Sequence, residues 1–280
     1  MIEGTMDRLP PTSDAEFAQI LRDQAERRLW DGLILTGSEI TLRRDLGDLV
    51  RRARDVGFSH IRIQTHGMQL SRPDYLDGLI GAGVDEFFIS VAGSDAETHD
   101  RITQVPGSWD RMIRGIEQID AHGGDLVVIT NTVVTAQSYT LLSGMVQALA
   151  RFSCVAQHEF WNYFPMAERD EKKLIVRHAD LIPPLRAAIA AAQAAGRRVE
   201  VKNIPQCLLG DDSYTLVNAQ PTLVISPEFW REFDRNGFYR CPHQSRCASQ
   251  ECLGLTEAYI HRFGDERDQL KILPKTLDLP

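Results

Sequence analysis

A chain of 280 residues with 31 Lys and Arg against 39 Asp and Glu carries a formal charge of −8, which lacks the basic field that nucleic-acid phosphates require. Its 43% hydrophobic and 25% charged residues exclude an intrinsically disordered chain, and its length excludes a small stapled scaffold. No run approaches the ~20 apolar residues of a membrane span, and Met1 to Arg8 lacks a basic-then-apolar leader pattern, so the expected compartment is the cytoplasm.

In chain order, Ser13 and Glu16 form a capping-box pattern ahead of Phe17, Ile20 and Leu21, which predicts a first helix. The short apolar run Gly32 to Gly37 predicts a strand buried on both faces. The unit then repeats. A helical stripe of Leu46, Leu49, Val50 and Ala53 precedes a strand at 60–65, and a helix around 75–82 precedes a strand at 86–91. Trp109, Met112, Ile116 and Ile119 mark a helix before the strand at 126–134. Tyr139, Leu142 and Val146 lead to a strand near 158–164. An Ala-rich helix from about Pro184 to Ala195 leads to a last strand at 198–204. Alternation of this kind implies α/β architecture with parallel strands and right-handed crossovers, either a β/α barrel or an open doubly wound sheet. Beyond residue 204 the periodicity gives way to turn residues and cysteines. The expected organisation is therefore a β/α domain over residues 1–204 and a small Cys-rich module over 205–280.

Ligands of such folds sit at the carboxyl ends of the strands, so chemistry is sought there. The first strand ends in Thr36-Gly37-Ser38-Glu39, the second in Thr65-His66-Gly67, the third in Ser90-Val91-Ala92-Gly93, and the fourth contains Asn131 within an apolar run. Taken singly, each segment has a plain alternative: a turn, a surface histidine, a helix cap at Asp95, or a hydrogen-bonded core amide.

Taken in order they carry a resemblance. Leu35 to Arg43 is similar to the Gly-Gly-Glu-Pro-Thr segment of the radical S-adenosylmethionine superfamily, Thr65-His66-Gly67 to its Thr-Asn-Gly, and Ser90 to Gly93 to its Ser-Leu-X-Gly. The run from Asp95 to Trp109 reads the same way, so the likeness covers roughly residues 12–135. It implies a partial TIM-like β/α barrel in which a [4Fe-4S] cluster binds S-adenosylmethionine and cleaves it reductively to a 5′-deoxyadenosyl radical. It implies that Gly37, Ser38 and Glu39 meet the methionine amino group, and that Ser90 and Asn131 reach the cofactor's ribose and carboxylate. Ser38 stands for the second Gly, Ile40 for the Pro and His66 for the Asn. The family's Cys-x3-Cys-x2-Cys loop and first strand have no counterpart here, so a second [4Fe-4S] cluster is expected only if such a triplet lies upstream of Met1. Loss of the first strand would bare the edge at Gly32 to Gly37, which favours an upstream start over a truncated relative.

Of five cysteines, Cys241, Cys247 and Cys252 fall within twelve residues and Cys207 lies upstream. Four soft ligands suit tetrahedral zinc or an iron–sulfur cluster. Cys252-Leu253-Gly254 with Tyr259 resembles the Cys-X-Gly-x4-Tyr ending of family members with auxiliary clusters of the twitch or SPASM type. The resemblance favours an auxiliary [4Fe-4S] cluster, with structural zinc second. His243 ranks below Cys207 as a ligand, and Cys154 reads as a packed thiol. The expected function is radical-based hydrogen abstraction from a peptide or small molecule, with an electron donor such as flavodoxin or ferredoxin and no membrane or nucleic-acid partner. A non-catalytic iron–sulfur scaffold and a β/α-barrel lyase with structural zinc are the alternatives.

Overall fold

The computed structural model describes residues 11–218, 227–234 and 237–274. The opening segment Met1 to Pro10 and Asn236 lie outside the described residues.

The elements follow the order α1 (Asp14–Arg27), β1 (Gly32–Leu35), α2 (Leu46–Asp55), β2 (His60–Thr65), α3 (Pro73–Ala82), β3 (Glu86–Ser90), α4 (Ala96–Thr103), α5 (Ser108–His122), β4 (Val127–Val134), α6 (Leu142–Leu149), β5 (Val155–Asn162), α7 (His178–Ala194), β6 (Arg198–Lys202), α8 (Gln206–Leu209), α9 (Pro227–Asp234) and α10 (Glu257–Phe263). The strands form one six-stranded sheet in chain order. The pairs β1–β2, β2–β3 and β3–β4 are parallel, with Leu35 opposite Ile63, Thr65 opposite Ile89 and Ser90 opposite Asn131. A helix between successive neighbouring strands gives this order without exception, because each crossover returns the chain beside the strand it left.

Two compact units share the described chain: residues 11–131 with 147–158, and 132–146 with 159–274. The first holds a core of Val50, Ala53, Ile61, Ile63, Phe87, Ile89, Met112, Ile116 and Ile119, all fully buried. Strands β3 and β4 are buried almost throughout, whereas β2 alternates buried Ile61, Ile63 and Thr65 with half-buried His60, Arg62 and Gln64, and β1, expected to be buried on both faces, is fully buried only at Leu35. Helix α1 starts at the capping box, with Ser13 accepting the Glu16 amide and Glu16 accepting the Ser13 amide. The second unit centres on Tyr163, Ile175, Leu255, Ala258, Tyr259 and Leu270, with Cys207 and Cys241 packed against them.

Two boundaries differ by more than two residues from the sequence expectation. Strand β5 begins at Val155 instead of 158, because the Val128 amide already donates to the Cys154 carbonyl (2.8 Å). Helix α7 begins at His178, six residues before Pro184, and holds Pro183 and Pro184 in its second turn. Among the described residues no helix is long and apolar enough to cross a membrane.

Candidate functional site

The first site lies at the carboxyl ends of β1 to β4. After Leu35 the chain turns through Thr36, Gly37 and Ser38 into a single 3-10 turn, Ile40–Leu42, capped by Glu39. The Glu39 carboxylate is nearly buried and takes five donors. Its Oε1 accepts the Thr41 amide (3.1 Å), the Thr41 hydroxyl and the Thr65 hydroxyl (2.6 Å), while Oε2 accepts the His66 amide (2.9 Å) and His66 Nε2 (2.8 Å). Burial alone would raise this carboxyl's pKa, but the hydrogen bonds from His66, Thr41 and Thr65 outweigh it and hold the value at about 2. Glu39 is therefore an anion whose lone pairs are filled by its own chain, and it ties the end of β1 to the end of β2.

Three glycines at these strand ends differ in what requires them. A Cβ on Gly93 would stand 2.3 Å from the His99 amide nitrogen, and Gly67 has φ +78° with Ile89 and Met112 close by, so the chain's own packing demands both. At Gly37 φ is ordinary and a Cβ would meet nothing within 4 Å. Neither sterics nor backbone conformation explains a glycine there, and the space above it is open.

On the next two strands, Ser90 ends β3 with its side chain exposed, and in register beside it Asn131 is 8% exposed with Nδ2 lacking any partner. The Asn131 carbonyl accepts the Val91 amide (2.8 Å), so the residue is held by its backbone while its amide group is left unused. A buried amide donor without a partner costs about 1–3 kcal/mol, a cost that a bound polar ligand removes. Asp95 and Asp100, by contrast, are absorbed by local structure. Asp95 caps α4 through the Thr98 amide (2.8 Å), and Asp100 accepts the amides of Gly107 (2.6 Å) and Trp109 (2.9 Å).

The second site gathers four cysteines in the other unit. Each sulfur accepts a backbone N–H: Cys241 from His243 (3.4 Å), Cys252 from Gly254 (3.3 Å), Cys207 from Lys271 (3.4 Å) and Cys247 from Leu273 (3.5 Å). Burial raises the pKa of Cys207 and Cys252, the amide donors pull it down, and the other thiols of the group push it up again. Amides aimed at sulfur stabilise thiolate, whereas burial and mutual repulsion oppose it. A cationic metal centre reconciles the two by neutralising the repulsion. Among the described residues no three His, Cys, Asp or Glu side chains converge closely enough to hold a single ion. Four sulfurs that each accept a backbone amide are a donor set of the kind that suits a thiolate-ligated centre. Cys154 lies in the first unit, its amide on Asp120 (2.8 Å).

A third feature escaped the sequence reading. At the ends of β5 and β6 a small cavity is lined by Asn162, His178, Asn203, Thr256 and Tyr259, among others. Asn162 Nδ2 donates to the Asn203 carbonyl (3.0 Å), which leaves Asn162 Oδ1 and His178 Nδ1 buried without partners. The His178 ring stacks on Tyr259 at 4.1 Å, and burial lowers its pKa to about 4, so it is neutral at pH 7. Tyr259 donates to Glu266, which also pairs with Arg177 (2.6 Å). Of these residues the sequence reading names only Tyr259, within the Cys-X-Gly-x4-Tyr segment, because the ring stack joins His178 and Tyr259 across 81 positions.

Residues 4–139 match the model of the Radical SAM superfamily. The chain carries a radical S-adenosylmethionine domain. This domain is 30% identical over 139 residues to an AdoMet-dependent heme synthase of Methanosarcina barkeri, covering 50% of this chain and 38% of that one. It is 32% identical over 148 residues to a probable GTP 3′,8-cyclase of Methanopyrus kandleri, covering 53% and 46%. The chain thus spans less than half the length of these two curated relatives. The radical S-adenosylmethionine fold is shared with Streptococcus suis SuiB bound to precursor peptide SuiA, at a TM-score of 0.56 and 17% identity over 81% of this chain and 50% of that one. The parallel six-stranded sheet is of the partial-barrel type of these relatives.

Proposed function

We propose that this chain belongs to a radical S-adenosylmethionine enzyme, binding the cofactor at the ends of β1 to β4 and an auxiliary [4Fe-4S] cluster on Cys207, Cys241, Cys247 and Cys252. The observation that carries the reading is the conjunction at one sheet edge of open space over Gly37 and the unused, buried amide of Asn131 beside the Ser90 hydroxyl. In this reading the carbonyls of Gly37 and Ser38 accept from the cofactor's amino group, and Ser90 and Asn131 orient its polar ends. Glu39 acts as the clamp that fixes the loop, because its own oxygens are already filled. S-adenosylmethionine and a reduced cluster together supply a 5′-deoxyadenosyl radical for hydrogen abstraction; the part of these residues is to bind and orient.

What supports the auxiliary cluster is the amide donated to each of the four sulfurs. In this reading residues 1–204 form the barrel and 205–280 the module that carries the cluster, in a cytoplasmic protein served by a flavodoxin or ferredoxin. The substrate class is a peptide or a small molecule: two relatives are named for heme and GTP chemistry, and SuiB is seen with a peptide.

Anaerobic reconstitution with iron and sulfide tests both halves. The chain is expected to bind a four-iron cluster that Cys207→Ser with Cys252→Ser abolishes, and Asn131→Ala is expected to weaken S-adenosylmethionine binding about tenfold by calorimetry, the loss of roughly one hydrogen bond. A colourless, iron-free preparation overturns the cluster, and unchanged binding in Asn131→Ala overturns the cofactor site. One observation favours a second reading, a relative that keeps the barrel as a scaffold: the saturated Glu39 carboxylate does not offer itself to an ammonium. Cluster binding without 5′-deoxyadenosine on reduction would decide for that reading.

A further inference from the structure

The four sulfurs obtain their amide donors in two different ways. Cys241 is served locally by the N–H two residues ahead in its own turn, His243, and Cys252 likewise by Gly254, with the Gln206 backbone as a further donor. Cys207 and Cys247 are served from far along the chain, 64 and 26 residues away, by Lys271 and Leu273 of a single segment. That segment is not hung on the cysteines alone. Leu270, 5% exposed, anchors it in the core with Tyr259 and Leu255, and the Leu273 carbonyl accepts the Ala248 amide (3.0 Å) beside Cys247. Leu273 therefore pairs with 247–248 through both its N–H and its carbonyl, in the manner of a one-rung ladder.

The side chains of Lys271 and Ile272 are exposed, so between its two anchor points the segment contributes backbone and not packing. An extended stretch that presents alternate amides, at 271 and 273, to two sulfurs is a donor strap. Hydrogen bonds to the sulfurs of an iron–sulfur centre draw electron density off them and favour the reduced state, and they also shield the ligands from solvent.

We infer that residues 270–273 are a strap that sets the reduction potential of the centre held by the four cysteines, by donating the Lys271 and Leu273 amides to Cys207 and Cys247. The inference rests on the auxiliary-cluster reading above and assigns to this segment a role that neither the cysteine spacing nor the family match contains. Without the strap, Cys207 and Cys247 lose the amides of Lys271 and Leu273, and the cluster is harder to reduce.

The test replaces one amide. Lys271→Pro removes the N–H that Cys207 accepts, and Lys271→Ala removes the same positive charge while keeping the N–H. Both are reconstituted anaerobically, their iron and sulfide contents are measured, and midpoint potentials are read by redox titration followed by electron paramagnetic resonance. Lys271→Pro is expected to retain iron and sulfide and to titrate at a lower potential than Lys271→Ala. Equal potentials for the two overturn the inference while leaving the cluster reading intact. Wild-type protein that takes up no iron and sulfide overturns the cluster reading and the strap with it. Should Lys271→Pro fail to fold, Leu273→Pro removes the amide donated to Cys247 and Leu273→Ala keeps it: a lower potential for Leu273→Pro supports the strap, and equal potentials remove it.

Discussion

Glu39 is ionised in a nearly buried position because five donors from Thr41, Thr65 and His66 replace the water it has lost. Its folded pKa, about 2, lies below the ordinary 4.5. The stability it contributes is therefore fully present above pH 4.5 and is lost as pH falls through about 2. Glu39→Gln turns an amide N–H₂ toward donors and should cost about 2–3 kcal/mol in urea unfolding at pH 7. His178 works in the other pH window with a related sign. Buried and neutral, with a folded pKa of about 4 against 6.5 unfolded, it binds its proton more readily in the unfolded chain, so its contribution is whole above pH 6.5 and shrinks toward pH 4 by about 3 kcal/mol. His178→Phe keeps the stack on Tyr259 and should flatten the dependence of Tm on pH between 4 and 6.5; an unchanged slope would assign that dependence to other groups.

At the scale of elements, the turns after the strands divide into those shaped by packing and those left open. Gly93→Ala drives a Cβ into the His99 backbone at the start of α4, and should destabilise the chain by about 1–3 kcal/mol in denaturant unfolding. Gly37→Ala meets no neighbour, so it should leave unfolding unchanged and weaken S-adenosylmethionine binding in calorimetry. All six strands and most of their helices were legible in the sequence because apolar runs of strand length, ended by Gly or a polar turn, alternate with helical stripes. The strand-end segments were legible as a set for the same reason, since their order follows the order of the strands. What was not legible depends on contacts distant in sequence. That His66 would fill Glu39, that Asn131 would be left with an idle amide, and that Lys271 would reach Cys207 follow from register and packing, which no spacing rule encodes.

For the molecule as a whole, the proposed centre on the four half-buried cysteines would bind most tightly when the chain is folded, so that occupancy and folding are linked. Removing iron with a chelator under anaerobic conditions should lower the melting temperature, and hydrogen exchange should rise at 241–255 and 270–273, where the sulfurs and their amide donors lie. Equal protection with and without iron at those positions would separate the cysteine loop from the folding of its unit.

Helix α7 holds Pro183 and Pro184 as its sixth and seventh residues. Neither has an N–H to return to the carbonyls of Ala179 and Asp180, so the opening turn has little to hold it to the turn that follows. What secures it is a bond from outside the helix, the His178 amide donating to the Tyr259 phenol oxygen (2.9 Å). The phenol of α10 is thus a latch for the first turn of α7. Releasing it by Tyr259→Phe should let that turn fray as far as the prolines and no further, giving amide exchange that stops abruptly at Leu185.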